Sequence, residues 1–159
     1  MAIRLIKKFT VFLKKLFSIF LIFNLTWVST AQAAGVFVDS FDVSTTQGDL
    51  PDAVTFNNDG TKMFTVGSDG DVVGEYTLTT GFDVSTASFV DSLDISDEEG
   101  ASSGLAFNND GTKMFVLGWG KDKVNEYTLT TGFDVSTASY AGDNERFSFT
   151  QENTPRGLA

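Results

Sequence analysis

Beyond residue 33, the chain is a succession of short apolar runs separated by polar turns. Ala53 to Phe56, Thr61 to Val66 and Val72 to Leu78 have the length of strands, and β-branched and aromatic residues recur in them. The turn between the first two runs, Asn57 to Gly60, consists of residues that tolerate a positive φ. No segment of this part shows the 3.6-residue apolar period of an amphipathic helix. The pattern predicts an all-β fold.

The pattern then repeats at a constant offset. Phe56 to Phe64 reads FNNDGTKMF, and so does Phe107 to Phe115, 51 residues later. Glu75 to Ser88 reads EYTLTTGFDVSTAS, and Glu126 to Ser139 is identical at the same offset. A fixed period of about this length is typical of solenoids and β-propellers, in which one small unit is used several times.

Each repeat holds four predicted strands, which is the content of a propeller blade. In the second unit they are Gly104 to Phe107, Thr112 to Leu117, Lys123 to Leu129, and a fourth that opens at Ala138 and includes Phe147 to Phe149. The fourth strand of the first unit, Phe89 to Ile95 (FVDSLDI), is matched ahead of that unit by Phe37 to Val43 (FVDSFDV). We therefore expect an outer strand at 36–43, blade one at about 52–95, blade two at about 103–149 and the start of a third blade at 156–159.

The two ends of the chain differ from the repeats. Basic residues from Arg4 to Lys15, an apolar run from Leu16 to Val28 and the tripeptide Ala31-Gln32-Ala33 have the order of a secretory signal peptide, so we expect residues 1–33 to be removed. The last residues, Gly157 to Ala159, repeat the tripeptide Gly104 to Ala106 and then stop. We expect residues 34–159 to hold about two and a half blades of a larger propeller of six to eight. The alternative is a short chain that assembles with copies of itself.

Charge and cysteine content narrow the classes of partner. The whole chain carries 11 basic and 21 acidic residues; without the five basic residues of 1–33 the balance is 6 against 21, or −15. So acidic a chain is a poor match for nucleic acid or for an anionic membrane surface. There is no cysteine, so no disulfide supports the fold. We expect a secreted, periplasmic or cell-surface protein that does not bind the membrane once the signal peptide is cleaved.

The second repeat resembles a known family. Gly104 to Leu129 (GLAFNNDGTKMFVLGWGKDKVNEYTL) is similar to the YVTN-type, lactonase-like β-propeller repeats of bacteria. Those repeats consist of an apolar strand, a turn ending in Asp-Gly, a Tyr- or Phe-Val strand, a Gly/Asn loop and a Val-rich strand. The present unit is longer, because FDVSTAS is inserted, and it has Glu75 or Glu126 where the family usually has an apolar residue. The resemblance implies a blade and leaves the function open.

Candidate chemistry is limited by the absence of histidine and cysteine. A Ser-His-Asp triad, a Cys-His pair and a His- or thiolate-based zinc site are excluded. We expect no cofactor; the alternative is a cation such as Ca²⁺, because the chain offers oxygen ligands. The repeated Asp59-Gly60 and Asp110-Gly111 lack the alternating ligands of an EF-hand and favour a structural turn. The FDVST segments favour local hydrogen bonds, with the Phe filling the gap between blades. A half-buried Glu75 or Glu126 would pair with backbone or lysine, or else join a ring of carboxylates around the channel.

Recognition on a propeller lies in the loops that differ between blades, which strand order puts on one face. The candidate ligand-binding residues in these loops are Trp119, Asp69, Asp71, Asp97, Glu98, Glu99 and Arg156. Trp119 could stack on a sugar or anchor a protein, and ordinary packing is its alternative. We expect a module that binds a protein or glycan ligand, with no catalytic residues visible. The alternatives are part of a lactonase-like or carbohydrate-active enzyme whose active residues lie in other blades, and a structural repeat array of a surface protein or adhesin.

Overall fold

The predicted strands are present in both repeats. The computed structural model describes residues 36–142, 147–148 and 157, and its elements in chain order are α1 (Ser44–Gln47), β1 (Pro51–Phe56), β2 (Lys62–Gly67), β3 (Val72–Leu78), β4 (Ala87–Asp94), β5 (Ser102–Phe107), β6 (Lys113–Gly118), β7 (Lys123–Leu129), β8 (Ala138–Tyr140) and β9 (Phe147–Ser148). Two 3₁₀ turns, Val84–Thr86 and Val135–Thr137, precede the fourth strand of each repeat. No helix in these ranges has the length and apolar character needed to span a membrane.

The strands form two antiparallel sheets, each built from one repeat in simple up-and-down order. The first sheet has the order β1-β2-β3-β4, and the second has β5-β6-β7-β8, with β9 pairing along β7 beside β8. Every neighbouring pair is antiparallel, and β1–β2 and β5–β6 share the same register shift near their first residues. The fold class is therefore all-β, with two four-stranded propeller-type blades as the repeat length predicts.

The hydrophobic core lies between the two blades. Phe64, Val66 and Val73 of blade one and Leu105, Met114, Val116 and Val135 of blade two belong to one buried cluster. Strand β5 is the element of blade two that packs on β1 and β2 of blade one. Accordingly β5 is buried along four of its six residues, whereas the equivalent β1 is largely exposed. Strands β1 and β5 thus have the same sequence pattern and different burial, because β5 has a blade packed against it and β1 lies on the other side of the contact.

The predicted outer strand at 36–43 would complete the last blade of a closed ring, so its pairing stays a prediction. These residues are not in a strand, and the chain turns from them into α1. The outer edge of blade one is already occupied by β4, which pairs with β3 over its whole length, so residues 36–43 have no free edge in that sheet. Two of their apolar side chains, Phe41 and Val43, pack on the cluster of Met63 and Tyr76 in blade one, whereas Val36, Phe37 and Val38 are exposed.

Other boundary predictions differ by one or two residues or fall outside the described residues. Blade one spans β1 to β4, residues 51–94, and the described strands of blade two span 102–148. The fourth strand of blade two is divided into β8 and β9. Residues 1–33 lie outside the described residues, and so does the predicted start of a third blade at 156–159 except for Gly157. The backbone N–H of Gly157 donates to the carbonyl of Ser103, 3.3 Å away.

Candidate functional site

The two ends of each blade carry different kinds of residues. At one end lie the Asn-Asn-Asp-Gly turns and the FDVST turns, which are identical in the two repeats. At the other lie the connections that differ: α1 with residues 48–50, the β2–β3 loop 68–71, the β4–β5 connection 95–101 and the β6–β7 loop 119–122. We call these four segments the loop face.

The repeated turns are structural, as predicted. Gly60 and Gly111 have φ values of 72° and 71°, and the N–H of each donates to the carbonyl of the Asn three residues earlier. Asp110 Oδ1 accepts hydrogen bonds from the Thr112 hydroxyl at 2.6 Å and its N–H at 3.1 Å, and these bonds lower the pKa of Asp110. The equivalent Asp59 bonds Thr61 in the same way, with the same direction of pKa. The carboxylates therefore close their own turns.

The FDVST turns also have the predicted local bonds, and one of them joins the blades. Asp134 Oδ1 accepts from the N–H of Ser136, and Thr137 Oγ1 donates to the Asp134 carbonyl. The Phe133 ring lies 5.4 Å from Phe107 and 6.3 Å from Phe64 of the other blade, measured between centroids. Phe133 thus fills the gap between blades, as expected. Its counterpart Phe82 is 61% exposed because no other blade covers that side of blade one in the described chain.

Glu75 pairs with a lysine and with backbone, which is the first of its two predicted alternatives. Its Oε1 pairs with Lys62 Nζ at 2.6 Å, and its Oε2 accepts the N–H of Val135 in blade two at 2.9 Å. Lys62 Nζ also donates to the carbonyl of Phe133 at 2.6 Å. The pair of charges therefore binds the backbone of the neighbouring blade's FDVST turn. Glu75 is 2% exposed, and its local pairing replaces the alternative of a carboxylate ring.

On the loop face, the structure brings the differing segments together in pairs. Asp69 Oδ2 accepts the N–H of Asp49, which joins the β2–β3 loop to the residues after α1. Lys121 Nζ donates to the carbonyl of Asp97 at 2.7 Å, which joins the β6–β7 loop to the β4–β5 connection. The two pairs are linked in turn, because the N–H of Ile95 in the β4–β5 connection donates to the carbonyl of Asp71 in the β2–β3 loop at 2.9 Å.

The β4–β5 connection and the α1 segment share one pair of turn hydrogen bonds despite different sequences. The N–H groups of Glu98 and Glu99 donate to the Ile95 carbonyl, as those of Thr46 and Gln47 donate to the Val43 carbonyl. Gln47 and Glu99 therefore occupy equivalent places, and both are fully buried.

Glu99 consequently lies inside the fold. Its Oε1 accepts the N–H of Ala101 at 3.1 Å, and its Oε2 is buried without a hydrogen-bond partner in the described part of the chain. Burial raises the pKa of Glu99, and the opposing hydrogen bond from Ala101 does not offset it. A buried carboxyl with a raised pKa is one mark of a catalytic acid. The neutral Gln47 at the equivalent place shows, however, that the fold uses this position as a buried anchor.

The other acidic candidates are divided between surface and interior. Asp69 and Asp97 are exposed, and Glu98 is half-buried with Oε2 at 3.5 Å from the Tyr127 hydroxyl. Asp71 has a left-handed φ of 48°, as its repeat counterpart Asp122 does at 51°, so it shapes the β2–β3 turn. Among the described residues, no three acidic side chains are close enough to form a metal site. Arg156 lies outside the described residues.

Trp119 is the exposed aromatic residue of the loop face. It is 43% exposed, and its backbone N–H donates to the Ala101 carbonyl at 3.1 Å. Ser68, at the equivalent position of blade one, makes the same backbone bond to Leu50. The fold therefore needs only the backbone N–H at this position, and nothing in the repeat architecture requires an indole there.

Comparisons with known proteins give little beyond the fold. No family model matches the chain, and no curated protein is significantly similar to it in sequence. Among solved structures, the chain is similar to a protein from Bacteroides fragilis described as a candidate 6-phosphogluconolactonase, with 15% identity and a TM-score of 0.44. The match covers 58% of this chain and 25% of that one. The chain thus corresponds to a quarter of that protein's length, and no activity is carried over from so loose a likeness.

Proposed function

We propose that this chain is a binding module that recognises its ligand with the loop face of blade two. The observation that carries the proposal is Trp119. Its side chain is exposed on a connection between strands, and the repeat that lacks it makes the same backbone contact with Ser68. Exposed tryptophan offers a large rigid surface at low entropic cost, which is why it is enriched among residues that dominate binding energy.

The surroundings of Trp119 define the class of ligand. Asp97 is exposed on the neighbouring connection, Glu98 is half-buried there, and the single lysine of the β6–β7 loop, Lys121, is held by the Asp97 carbonyl. An indole flanked by carboxylates is suited to a sugar ring, which stacks on the indole while its hydroxyls donate to the acids, or to a cationic protein segment. The acidic balance of the chain opposes anionic ligands such as nucleic acid.

Trp119 fluorescence tests the proposal. Neutral oligosaccharides, basic peptides and sugar lactones are screened against the secreted chain, because Trp119 is the one tryptophan in the sequence of residues 34–159. Trp119→Ala should weaken the best binder by about 2 kcal/mol, which is roughly thirtyfold in Kd, without changing the melting temperature.

Phe89→Ala is the matched control, since Phe89 is 51% exposed on β4 of blade one and belongs to neither loop of blade two. Its Kd should equal that of the unchanged chain. Destabilisation by Trp119→Ala with intact binding would show that the indole is packing. Hydrolysis of a lactone in the screen would replace the binding proposal with the enzymatic alternative.

We also propose that the module acts outside the cytoplasm. The support is the order of basic, apolar and small residues in 1–33. Mass spectrometry of the protein expressed in a secreting host should find an N-terminus at Ala34, whereas a retained Met1 in the membrane fraction would show that the segment is an anchor.

A further inference from the structure

The side chain of Glu99 lies beneath the β6–β7 loop, which carries Trp119. A Cβ added at Gly118 would lie 2.0 Å from Glu99 Cδ, and one added at Gly120 would lie 2.5 Å from Glu99 Oε1. The two glycines on either side of Trp119 therefore leave the space that the carboxyl group occupies. Glu99 itself is fully buried, whereas Trp119 is 43% exposed. The buried acid thus supports, from below, the loop that presents the indole.

One residue links the carboxyl group to Trp119 through backbone hydrogen bonds. The N–H of Ala101 donates to Glu99 Oε1 at 3.1 Å, and the carbonyl of Ala101 accepts the N–H of Trp119, also at 3.1 Å. A movement of the Glu99 carboxyl group would therefore be passed to the backbone of Trp119 by way of Ala101.

Gln47, the counterpart of Glu99 in blade one, has its side chain on the sheet instead. Its Nε2 donates to the carbonyls of Thr65 and Val72, at 3.3 and 3.4 Å. A Cβ added at Gly74 would lie 3.2 Å from that Nε2, so the amide group fills the space above this glycine. In blade one the amide group therefore contacts strands β2 and β3.

Two sequence differences account for the change of direction in blade two. Asn125 stands 51 residues after Gly74, and its fully buried side chain takes the space that corresponds to the amide of Gln47. Gly120 stands 51 residues after Asp69, so the β6–β7 loop has room for a carboxyl group where the first repeat has a side chain. Both differences direct the buried side chain of blade two to the loop.

The carboxyl group of Glu99 has the surroundings of a neutral acid. Its Oε2 is buried without a hydrogen-bond partner among the described residues, and so is Asn125 Oδ1, an acceptor in the same blade. A neutral carboxyl group can donate to such an acceptor, whereas a carboxylate cannot. Burial accordingly raises the pKa of Glu99. Ionisation inside the fold is costly, so it favours conformations in which the carboxylate reaches water by displacing the exposed loop above it.

We propose that Glu99 is a positioning residue for Trp119: the neutral carboxyl group supports the β6–β7 loop in the described position, and the ionised group displaces it. The inference deepens the proposed function and rests on it in one respect, namely that displacement of the loop weakens the binding of a ligand to Trp119.

Several other charged groups surround the carboxyl group and belong to the same electrostatic environment. They are Asp94 on β4, Asp97 and Glu98 on the β4–β5 connection, Lys121 and Asp122 on the β6–β7 loop, Lys123 and Tyr127 on β7, and Asp71 on the β2–β3 loop. Burial of Glu99 outweighs the charge of Lys121, the cation among them that lowers the pKa of Glu99.

The fluorescence of Trp119 in the secreted chain tests the effect on the loop without any ligand. Acrylamide is an uncharged quencher, so it reports the exposure of the indole and does not respond to the charge of the loop. As pH rises from 4.5, the quenching constant should roughly double at a midpoint above that value, because an indole that is 43% exposed becomes nearly fully exposed. Circular dichroism checks at each pH that the chain stays folded. A quenching constant that does not change between pH 4.5 and neutral pH overturns the proposal.

Glu99→Gln assigns the midpoint to this residue. Glutamine is neutral at every pH, and Gln47 shows that the fold accepts a buried amide at the equivalent place. The variant should therefore keep the low quenching constant throughout. A step that persists in Glu99→Gln overturns the proposal, because another group would then be responsible for it.

Gly120→Ala and Gly100→Ala form a matched pair that tests the contact itself. A Cβ at Gly120 would lie 2.5 Å from Glu99 Oε1, whereas a Cβ at Gly100 would meet no atom within 4 Å. Gly120→Ala should therefore displace the loop and give the high quenching constant already at pH 4.5, and Gly100→Ala should keep the step. An unchanged step in a folded Gly120→Ala chain also overturns the proposal.

Binding at different pH values tests the consequence for the ligand. The affinity of the neutral oligosaccharide that binds most tightly in the screen should fall severalfold as pH rises through the same midpoint, and Glu99→Gln should keep the affinity of low pH. Constant affinity in a chain that shows the quenching step would disprove the link between loop position and binding. Unchanged affinity in Trp119→Ala would instead disprove the proposed function, while the quenching step alone decides whether Glu99 positions the indole.

Discussion

A single methyl group added at Gly111 should separate the cost of backbone strain from the cost of disturbing the joint between blades. Gly111 has a φ of 71°, a region in which a residue with a Cβ loses about 1–2 kcal/mol. A Cβ there would lie 2.3 Å from Cδ2 and 2.6 Å from the backbone nitrogen of Phe133, so the ring and the backbone of its turn must both move. Phe133 then loses its contacts with Phe64 and Phe107, which are worth about 0.5–1.5 kcal/mol each. We expect Gly111→Ala to lower the free energy of unfolding by about 2–4 kcal/mol.

Gly60→Ala is the matched variant, because its local geometry is the same and its surroundings are not. Gly60 has a φ of 72°, and a Cβ would lie 2.4 Å from Cδ2 of Phe82. The Phe82 ring is 61% exposed and can swing into solvent, so the cost should stay at about 1–2 kcal/mol of strain. Gly100→Ala is the neutral control, since no atom lies within 4 Å of that Cβ.

Urea unfolding followed by circular dichroism measures all three variants under the same conditions. Gly111→Ala should be less stable than Gly60→Ala by at least about 1 kcal/mol, and Gly100→Ala should lie within about 0.5 kcal/mol of the unchanged chain. Equal losses at Gly111 and Gly60 would refute the reasoning, because they would mean that Phe133 adds nothing to the joint beyond what Phe82 adds to an open face.

Two further predictions concern buried carboxylates. Glu75→Ala leaves the N–H of Val135 and the charge of Lys62 without their partner and should cost about 3 kcal/mol, whereas Glu126→Ala, at a more exposed pair, should cost about 1 kcal/mol or less in the same urea titration. A larger loss for Glu126→Ala than for Glu75→Ala would contradict the role of Glu75 in holding the two blades together. Burial raises the folded-state pKa of Glu99 above its ordinary value of 4.5, so the folded state holds this proton more tightly than the unfolded state does. The free energy of unfolding should therefore fall as pH rises from 4.5 through the folded pKa. Melting temperatures of Glu99→Gln across this window should lack that fall, and the variant should be the more stable chain at neutral pH; an unchanged pH profile would show that Glu99 is not buried as an acid.

The repeat made the strands predictable from the sequence, but the strands or segments with which each one pairs could not be predicted from it. The bounds of β3 and β7 agree with the prediction at both ends, because each is a continuous β-rich run between turn residues. Residues 36–43 repeat the sequence of β4 and yet form no strand, since a strand needs a free edge and sequence similarity does not supply one. Local pattern determines what a segment can pair with, and the neighbouring sheet determines whether it does.

The candidate site was predictable to a smaller extent. Trp119 was identified because it breaks the repeat, and the structure places it on an exposed turn. The segment Asp97 to Gly100 has the sequence of a polar loop, which predicts an exposed Glu99. Its burial follows from the close approach of the β4–β5 connection to Gly118, where a Cβ would lie 2.0 Å from Glu99 Cδ. Such an approach is a property of three-dimensional packing, and a single glycine in a strand is only a weak sign of it.

The contact between Lys62, Glu75 and the FDVST turn has a consequence for how such a chain can lengthen. Each 51-residue unit carries both a charged pair and the turn that such a pair holds, and the atoms held are backbone atoms of the turn. A duplicated unit would therefore carry the residues for this contact with the unit before it and with the unit after it. The side chains of the turn that do not touch the Lys-Glu pair could change without weakening the contact. Size can then change by whole units while the loop face of each unit is altered independently, so that growth of the scaffold and change of specificity are separate events in the history of the protein.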